Sequence, residues 1–191
     1  MLLQSTVWVP YWLDLKPISK SVIDARYRIS GQFVNTKECS STDLICEELI
    51  ELVQAYSTRL SVLDEPTVVH KPSPKRWSIK QVLGHLIDSA CNNHQRFIRA
   101  QNGEQLKFAD YDQNHWVASQ NYDECSWAQL IELWRLYNLH LAHVIRQIPD
   151  NKMRIKCTIT PNEPVSLSFL VEDYLEHMKH HLNKISERVS L

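Results

Sequence analysis

The chain has 191 residues, 43% of them hydrophobic, which suits one packed domain and leaves little for a second. Lys and Arg number 21 against 22 Asp and Glu, a formal net charge of −1, so no basic field exists to neutralise a phosphate backbone and nucleic-acid binding is not expected. With only 3 glycines, a turn-rich all-β fold is disfavoured and helices joined by loops are expected.

Residues 1–40 hold Trp8, Tyr11, Trp12 and Phe33 among Pro10 and Pro17, and keep neither a helical nor a strand period. They are read as an unassigned N-terminal extension: an aromatic arm packed on the domain, a disordered stretch, or a non-native start. The domain itself is expected over residues 41–191. A first helix starts at Ser40, Ser41 or Thr42, each able to cap it, and runs to about residue 62. Leu44, Ile45, Leu49, Leu52, Val53 and Tyr56 form its apolar stripe. The second begins at Ser78, where Gln81 completes a capping box, and stops at Asn102-Gly103. Ser126 and Gln129 repeat that start signal for a third helix over about 127–147, closed by Pro149. A fourth lies between Ser166 and about residue 188. The expected fold class is all-α, a four-helix bundle. Its connections exceed the about two to eight residues usual between bundle helices, so a crossover joining parallel neighbours is open to it.

The five cysteines, Cys39, Cys46, Cys91, Cys125 and Cys157, are odd in number and lack CxxC spacing, which argues for reduced thiols rather than a disulfide framework. No apolar run approaches the ~20 residues that span a bilayer, and the N-terminal stretch lacks the basic start and apolar core of a signal peptide. A soluble, cytoplasmic protein without a membrane partner is expected.

The fourth helix carries the sharpest chemical signal. Its inward stripe reads Leu167, Leu170 or Val171, Tyr174, His177 or Met178, His181, Ile185, with histidines at two places where apolar residues belong. Residues four apart differ by only about 40° around a helix, so both imidazoles project into the same space, a two-ligand half-site for a metal. The residue after His177 is Met178, which excludes the HExxH mechanism of zinc proteases. Taken alone, such a pair reads more readily as surface histidines near a helix C-terminus. On an apolar stripe, two desolvated imidazoles need a partner.

The second helix offers one. Beside the apolar face of Val82, Leu83, Leu86, Ile87, Ala90 and Phe97 runs a polar stripe of His85, Asp88, Ser89, Asn92 and Arg96. Such a stripe inside a bundle is a satisfied network or the wall of a site. His85 is the economical third ligand. Asp88 has the plainer alternative of a place at the solvent edge, paired with Lys or Arg. His180 is expected to face solvent or the outer layer of the site, while His70, His94, His115, His140 and His143 are read as structural.

The block from Trp77 through His85, Asp88 and Ser89 to Asn92, Arg96 and Phe97 resembles the most characteristic stretch of the DinB/YfiT-like metalloenzyme family. Tyr111-Asp112-Gln113-Asn114-His115-Trp116 is similar to a motif in that family's long loop, and His177-x3-His181 followed by Ile185 resembles its closing motif. The resemblance covers about residues 42–188 and is nearest to the bacillithiol transferase branch. It implies a four-helix bundle that often dimerises. It also implies a divalent metal, zinc or nickel before iron or manganese, on His85, His177 and His181.

The activity it implies is transfer or conjugation of a low-molecular-weight thiol such as bacillithiol or glutathione at an open three-histidine site. There the thiol is held as the nucleophilic thiolate. Asp88 or Asn92 would orient a ligand or act as base, Arg96 would meet a substrate carboxylate, and Tyr111, Asp112 and Trp116 would line the mouth. Two alternatives stay open: a hydrolase using metal-activated water, and a non-catalytic bundle that binds metal or a small ligand.

Overall fold

Each long helix starts on the side chain that its sequence supplies. In the computed structural model, which describes residues 40–189 apart from 104 and 161, Ser40 caps α1 (Ser41–Ser61) through a reciprocal box with Asp43. Ser78 and Gln81 form the same box at the start of α3 (Ile79–Ala100). Ser126 caps α5 (Trp127–Arg146) in one direction only, accepting from the Gln129 backbone. The last long helix, α6, spans Leu167–Val189. Readings made on residues 1–39 lie outside the described residues.

These four helices form a bundle in which α1 packs on α5, α5 on α3, α3 on α6, and α6 closes on α1. Their directions follow from the pairs that touch. Cys46 meets the Ala142 carbonyl and Trp127 Nε1 donates to the Leu60 carbonyl, so α1 and α5 run antiparallel. His85 faces His181 while Ser89 faces His177, so α3 and α6 are antiparallel too. Glu48 pairs with Lys179, and Tyr56 bonds Ser186, which makes α1 and α6 parallel. The second and third long helices are therefore parallel neighbours, joined by a crossover that runs the length of the bundle. Long connections make that order possible.

The crossover has structure of its own, which no period in the sequence announces. Strand β1 (Gln105–Ala109) pairs in parallel with β2 (Lys156–Thr160), and β2 pairs antiparallel with the short β3 (Val165–Ser166). Helix α4 (Gln113–Gln120) and a 3-10 turn at Tyr122–Glu124 complete the return. A short helix, α2 (Glu65–Val69), sits between α1 and α3, capped by Asp64. The all-α expectation holds for the bundle, and a three-stranded sheet is added at its edge.

The core line of α1 is rotated from the expected stripe. Cys46, Leu49, Val53, Tyr56 and Leu60 are buried, whereas Leu44, Ile45 and Leu52 are half-buried at its margin. On α6 the buried line is Leu167, Leu170, Val171, Tyr174, Leu175, Met178, Leu182 and Ile185, with His177 and His181 half-buried beside it. Buried Asn138 accepts a hydrogen bond from Tyr174 Oη and donates to the Trp134 carbonyl, a polar pin between α5 and α6. Among the described residues, no helix is long and apolar enough to cross a membrane.

Candidate metal centre

Antiparallel packing of α3 on α6 brings His85 opposite the His177–His181 pair. His85 is 2% exposed, with its ring against Trp77 at a centroid distance of 5.0 Å. His177 Nε2 stands 3.2 Å from His85 Nε2 and 3.1 Å from His181 Nε2. All three ligand atoms lie within 4.8 Å of one another.

Hydrogen bonding does not account for this convergence. A ring nitrogen carries either one hydrogen or one lone pair, so His177 Nε2 can serve one of its two neighbours and not both. Three nitrogens placed tetrahedrally about one ion, at about 2.0–2.1 Å, stand roughly 3.3 Å apart, close to the separations seen. The donors also hold the correct protonation state. Burial pushes His85 down to about 4, and burial followed by the nearby His85 lowers His177 to about 3. His181 is lowered too, by burial and then by His177. Neutral imidazoles keep the lone pairs a divalent cation needs, so the residues fit such an ion. Ser89 Oγ lies 3.5 Å from His177 Nδ1, placed to accept that ring's hydrogen when Nε2 is the ligand.

The other expected site residues each make contacts of their own. Asp88 is 2% exposed, so it is not at the solvent edge, and its partners are neither Lys nor Arg. Its Oδ1 accepts from Tyr122 Oη at 2.6 Å and from Gln120 Nε2 at 2.5 Å, while buried Oδ2 has no hydrogen-bond partner. Burial raises its pKa against the pull of those two donors. Asn92 turns its amide nitrogen back onto the Asp88 carbonyl at 2.9 Å. Exposed Asp112 caps α4, accepting from the Asn114 and His115 backbones. Tyr111 and Trp116 are half-buried and pack edge to face, with centroids 5.2 Å apart. Arg96 is 8% exposed and approaches Asp110 Oδ1 at 3.6 Å.

The arrangement is a three-imidazole corner between two helices. The DinB superfamily profile matches residues 48–185, which take in α3, most of α6 and all three histidines. The chain belongs to the DinB superfamily. YfiT from Bacillus subtilis, described as a probable metal-dependent hydrolase with an unusual four-helix bundle topology, superposes with a TM-score of 0.71 at 19% identity, covering 85% of this chain and 94% of YfiT. A mycothiol-dependent maleylpyruvate isomerase superposes with a TM-score of 0.63 at 13% identity, covering 76% of this chain and 61% of the isomerase. At these identities the likeness is one of fold. No curated protein matches the sequence.

Within this DinB-superfamily bundle, several site residues are invisible to helical spacing. Tyr122 and Gln120 reach Asp88 from more than thirty residues away, in the crossover. Trp77 lies before α3 and walls His85. Half-buried Asp173, one turn ahead of His177 on α6, carries a carboxyl that burial raises to about 6. Ser89 was within reach of the sequence, since it shares the polar stripe with His85, but the stripe does not say which member turns toward α6. The other histidines make plainer contacts: His94 Nδ1 lies 3.3 Å from Tyr137 Oη, and His180 packs its ring against that of His181.

Proposed function

We propose that this protein is a divalent-metal-dependent enzyme that transfers or conjugates a low-molecular-weight thiol, of the bacillithiol or glutathione kind. One observation carries the proposal: three neutral imidazole nitrogens converge between α3 and α6, His85 buried and His177 and His181 half-buried. Zinc or nickel is the proposed ion, with iron or manganese next. A divalent ion bound there supplies Lewis acidity, holding a thiol as thiolate or lowering the pKa of a water.

The chain's own residues do the rest. His85, His177 and His181 would hold the ion through Nε2. Ser89 fixes the His177 ring, and Trp77 packs against that of His85. Asp88, held at one oxygen by Tyr122 and Gln120 and free of hydrogen bonds at the other, is the group able to take up a proton. Tyr111 and Trp116 supply an aromatic wall near the mouth. A cytoplasmic homodimer is the proposed working state.

The direct assay is conjugation of monochlorobimane with bacillithiol and with glutathione, using metal-loaded and chelated protein. Metal-dependent conjugation is expected, with loss of rate in His177→Ala. A hydrolase remains the second reading, supported by the likeness to YfiT and by the orphaned oxygen of Asp88. Turnover of esters, amides or phosphoesters without any thiol would favour it over transfer. Elemental analysis of untagged protein tests the ion that both readings need, and metal-loaded protein without turnover in either assay favours a non-catalytic bundle that binds metal.

A further inference from the structure

A second pair of histidines meets on the opposite side of α3. His94 follows His85 by nine residues, about two and a half helical turns and roughly 13 Å along the axis, so the two rings leave α3 on opposite faces. His85 turns to α6. His94 turns to α5, where its ring meets that of His140 with centroids 5.2 Å apart and planes at 79°. The His85–His177 pair of the metal centre stands at 5.1 Å and 73°. The same edge-to-face approach of two imidazoles therefore occurs twice on α3, once against each neighbouring helix.

His94 is also held as a ligand would be. Its Nδ1 lies 3.3 Å from Tyr137 Oη, and the Tyr137 hydroxyl hydrogen-bonds Cys91 one turn earlier on α3. With the phenol hydrogen directed to the sulfur, the oxygen accepts from Nδ1–H and the ring's lone pair is left on Nε2. Metal-ligating histidines are oriented in this way, one nitrogen on an outer acceptor and the other on the ion. Burial, and then the charge of His140, lowers the His94 pKa and favours that neutral form. Among the described residues, the polar and ring partners of His94 and His140 are Tyr137, His143 and each other, and none is a carboxylate.

His143 has a plainer cause. It sits in the last turn of α5, where a helix end favours positive charge. Its ring lies stacked on that of His140 at 6.3 Å and 25°, not turned edge-on into the pair. No helix-end effect explains why His94, on another helix, meets His140.

We infer that His94 and His140 form a second divalent-metal site, bridging α3 and α5 and separate from the three-histidine centre. Two imidazoles suit a late first-row ion such as nickel, copper or zinc, whereas magnesium and calcium prefer oxygen donors. His140 is exposed, which leaves the remaining positions of the ion to water. With two protein nitrogens against three, this site fills after the centre between α3 and α6. Tyr137 is its positioning residue.

Nickel titration of full-length, untagged protein against a chromophoric chelator counts the sites. The wild type is expected to take up two equivalents, the weaker one lost in His94→Ala and in His140→Ala, the tighter one lost in His177→Ala. Tyr137→Phe should weaken the second equivalent about tenfold and leave the first unchanged, the lower end for loss of an outer partner. His143→Ala should keep both equivalents. A loss in His143→Ala as large as in His140→Ala means unspecific uptake by surface imidazoles and overturns the inference. Nickel uptake in His140→Ala equal to that of the wild type overturns it too, and this exposed position can change without disturbing the core. The two metal readings fail separately. If the one equivalent bound disappears in His177→Ala, the centre stands and this site does not; if it depends on His94 and His140 instead, the reverse holds.

Discussion

The Tyr122 ring lies directly on Gly84, so closely that a β-carbon there would stand 2.1 Å from Tyr122 Cδ2. The missing side chain lets the crossover press onto α3 and brings Tyr122 Oη within 2.6 Å of Asp88. A glycine in mid-helix costs up to about 1 kcal/mol relative to alanine, and here the close approach explains its presence. Gly84 sits next to His85 in sequence, so one residue shapes the wall and its neighbour faces the metal centre.

Gly84→Ala is therefore expected to destabilise the domain by about 1–3 kcal/mol, despite the better helix propensity of alanine. The ring is rigid and 4% exposed, so it cannot yield locally. Urea unfolding measures the loss. Combining the change with Tyr122→Ala should recover part of it, since the clash then has no partner. Additive losses in the double variant would show that the two residues are uncoupled.

Ser89→Ala should weaken metal binding while leaving the fold intact. Removing an outer hydrogen bond to a ligating histidine typically costs about 10–100-fold in affinity, and a contact as long as 3.5 Å belongs at the lower end. Competition with a chromophoric chelator gives the number. Asp88→Asn is the comparison, because the known partners of that side chain are Tyr122 and Gln120. A larger loss of affinity in Asp88→Asn than in Ser89→Ala would contradict this assignment.

These contacts mark how far the sequence could be read. Helix starts were legible because Ser40, Ser78 and Ser126 sit where a cap must sit, and apolar spacing located all four long helices. The histidine corner was legible for the same reason, since periodicity puts His177 and His181 on one face and His85 on a stripe that must be buried. The crossover was not. β1 has five residues and its partner β2 begins fifty-one positions later, too short and too distant for alternation to reveal. The solvent-edge alternative for Asp88 failed for a related reason: its donors come from that crossover, beyond the reach of i+3 and i+4 reasoning.

Asp173 supplies a pH test. Its carboxyl is raised from 3.8 to about 6, chiefly by burial. Between those values the native state keeps a proton that the unfolded chain has lost, so this group's contribution to stability falls as pH rises through the window. Asp173→Asn removes that loss. The variant should match the wild type near pH 4 and melt higher above pH 6, by less than the about 3 kcal/mol implied by two pH units, since the side chain is only half-buried and solvent screens it. Melting curves across that range check it. A variant that gains nothing above pH 6 would mean that the charge of Arg96 already offsets the burial.

Metal removal should be read most directly in stability. A ligand that binds only the native state stabilises it by about 2.7 kcal/mol at a concentration a hundredfold above its Kd, which for a domain of this size is several degrees of melting temperature. Chelated wild-type protein should therefore melt lower than zinc- or nickel-loaded protein, with readdition restoring the difference. His177→Ala loses the nitrogen that lies close to both others, so its melting temperature should respond little to metal or chelator. The chelated variant should also melt no lower than chelated wild type, because the mutation removes one of three crowded, desolvated rings that no hydrogen-bond network satisfies together. A metal response in His177→Ala as large as in the wild type would move the ion away from this corner of the bundle.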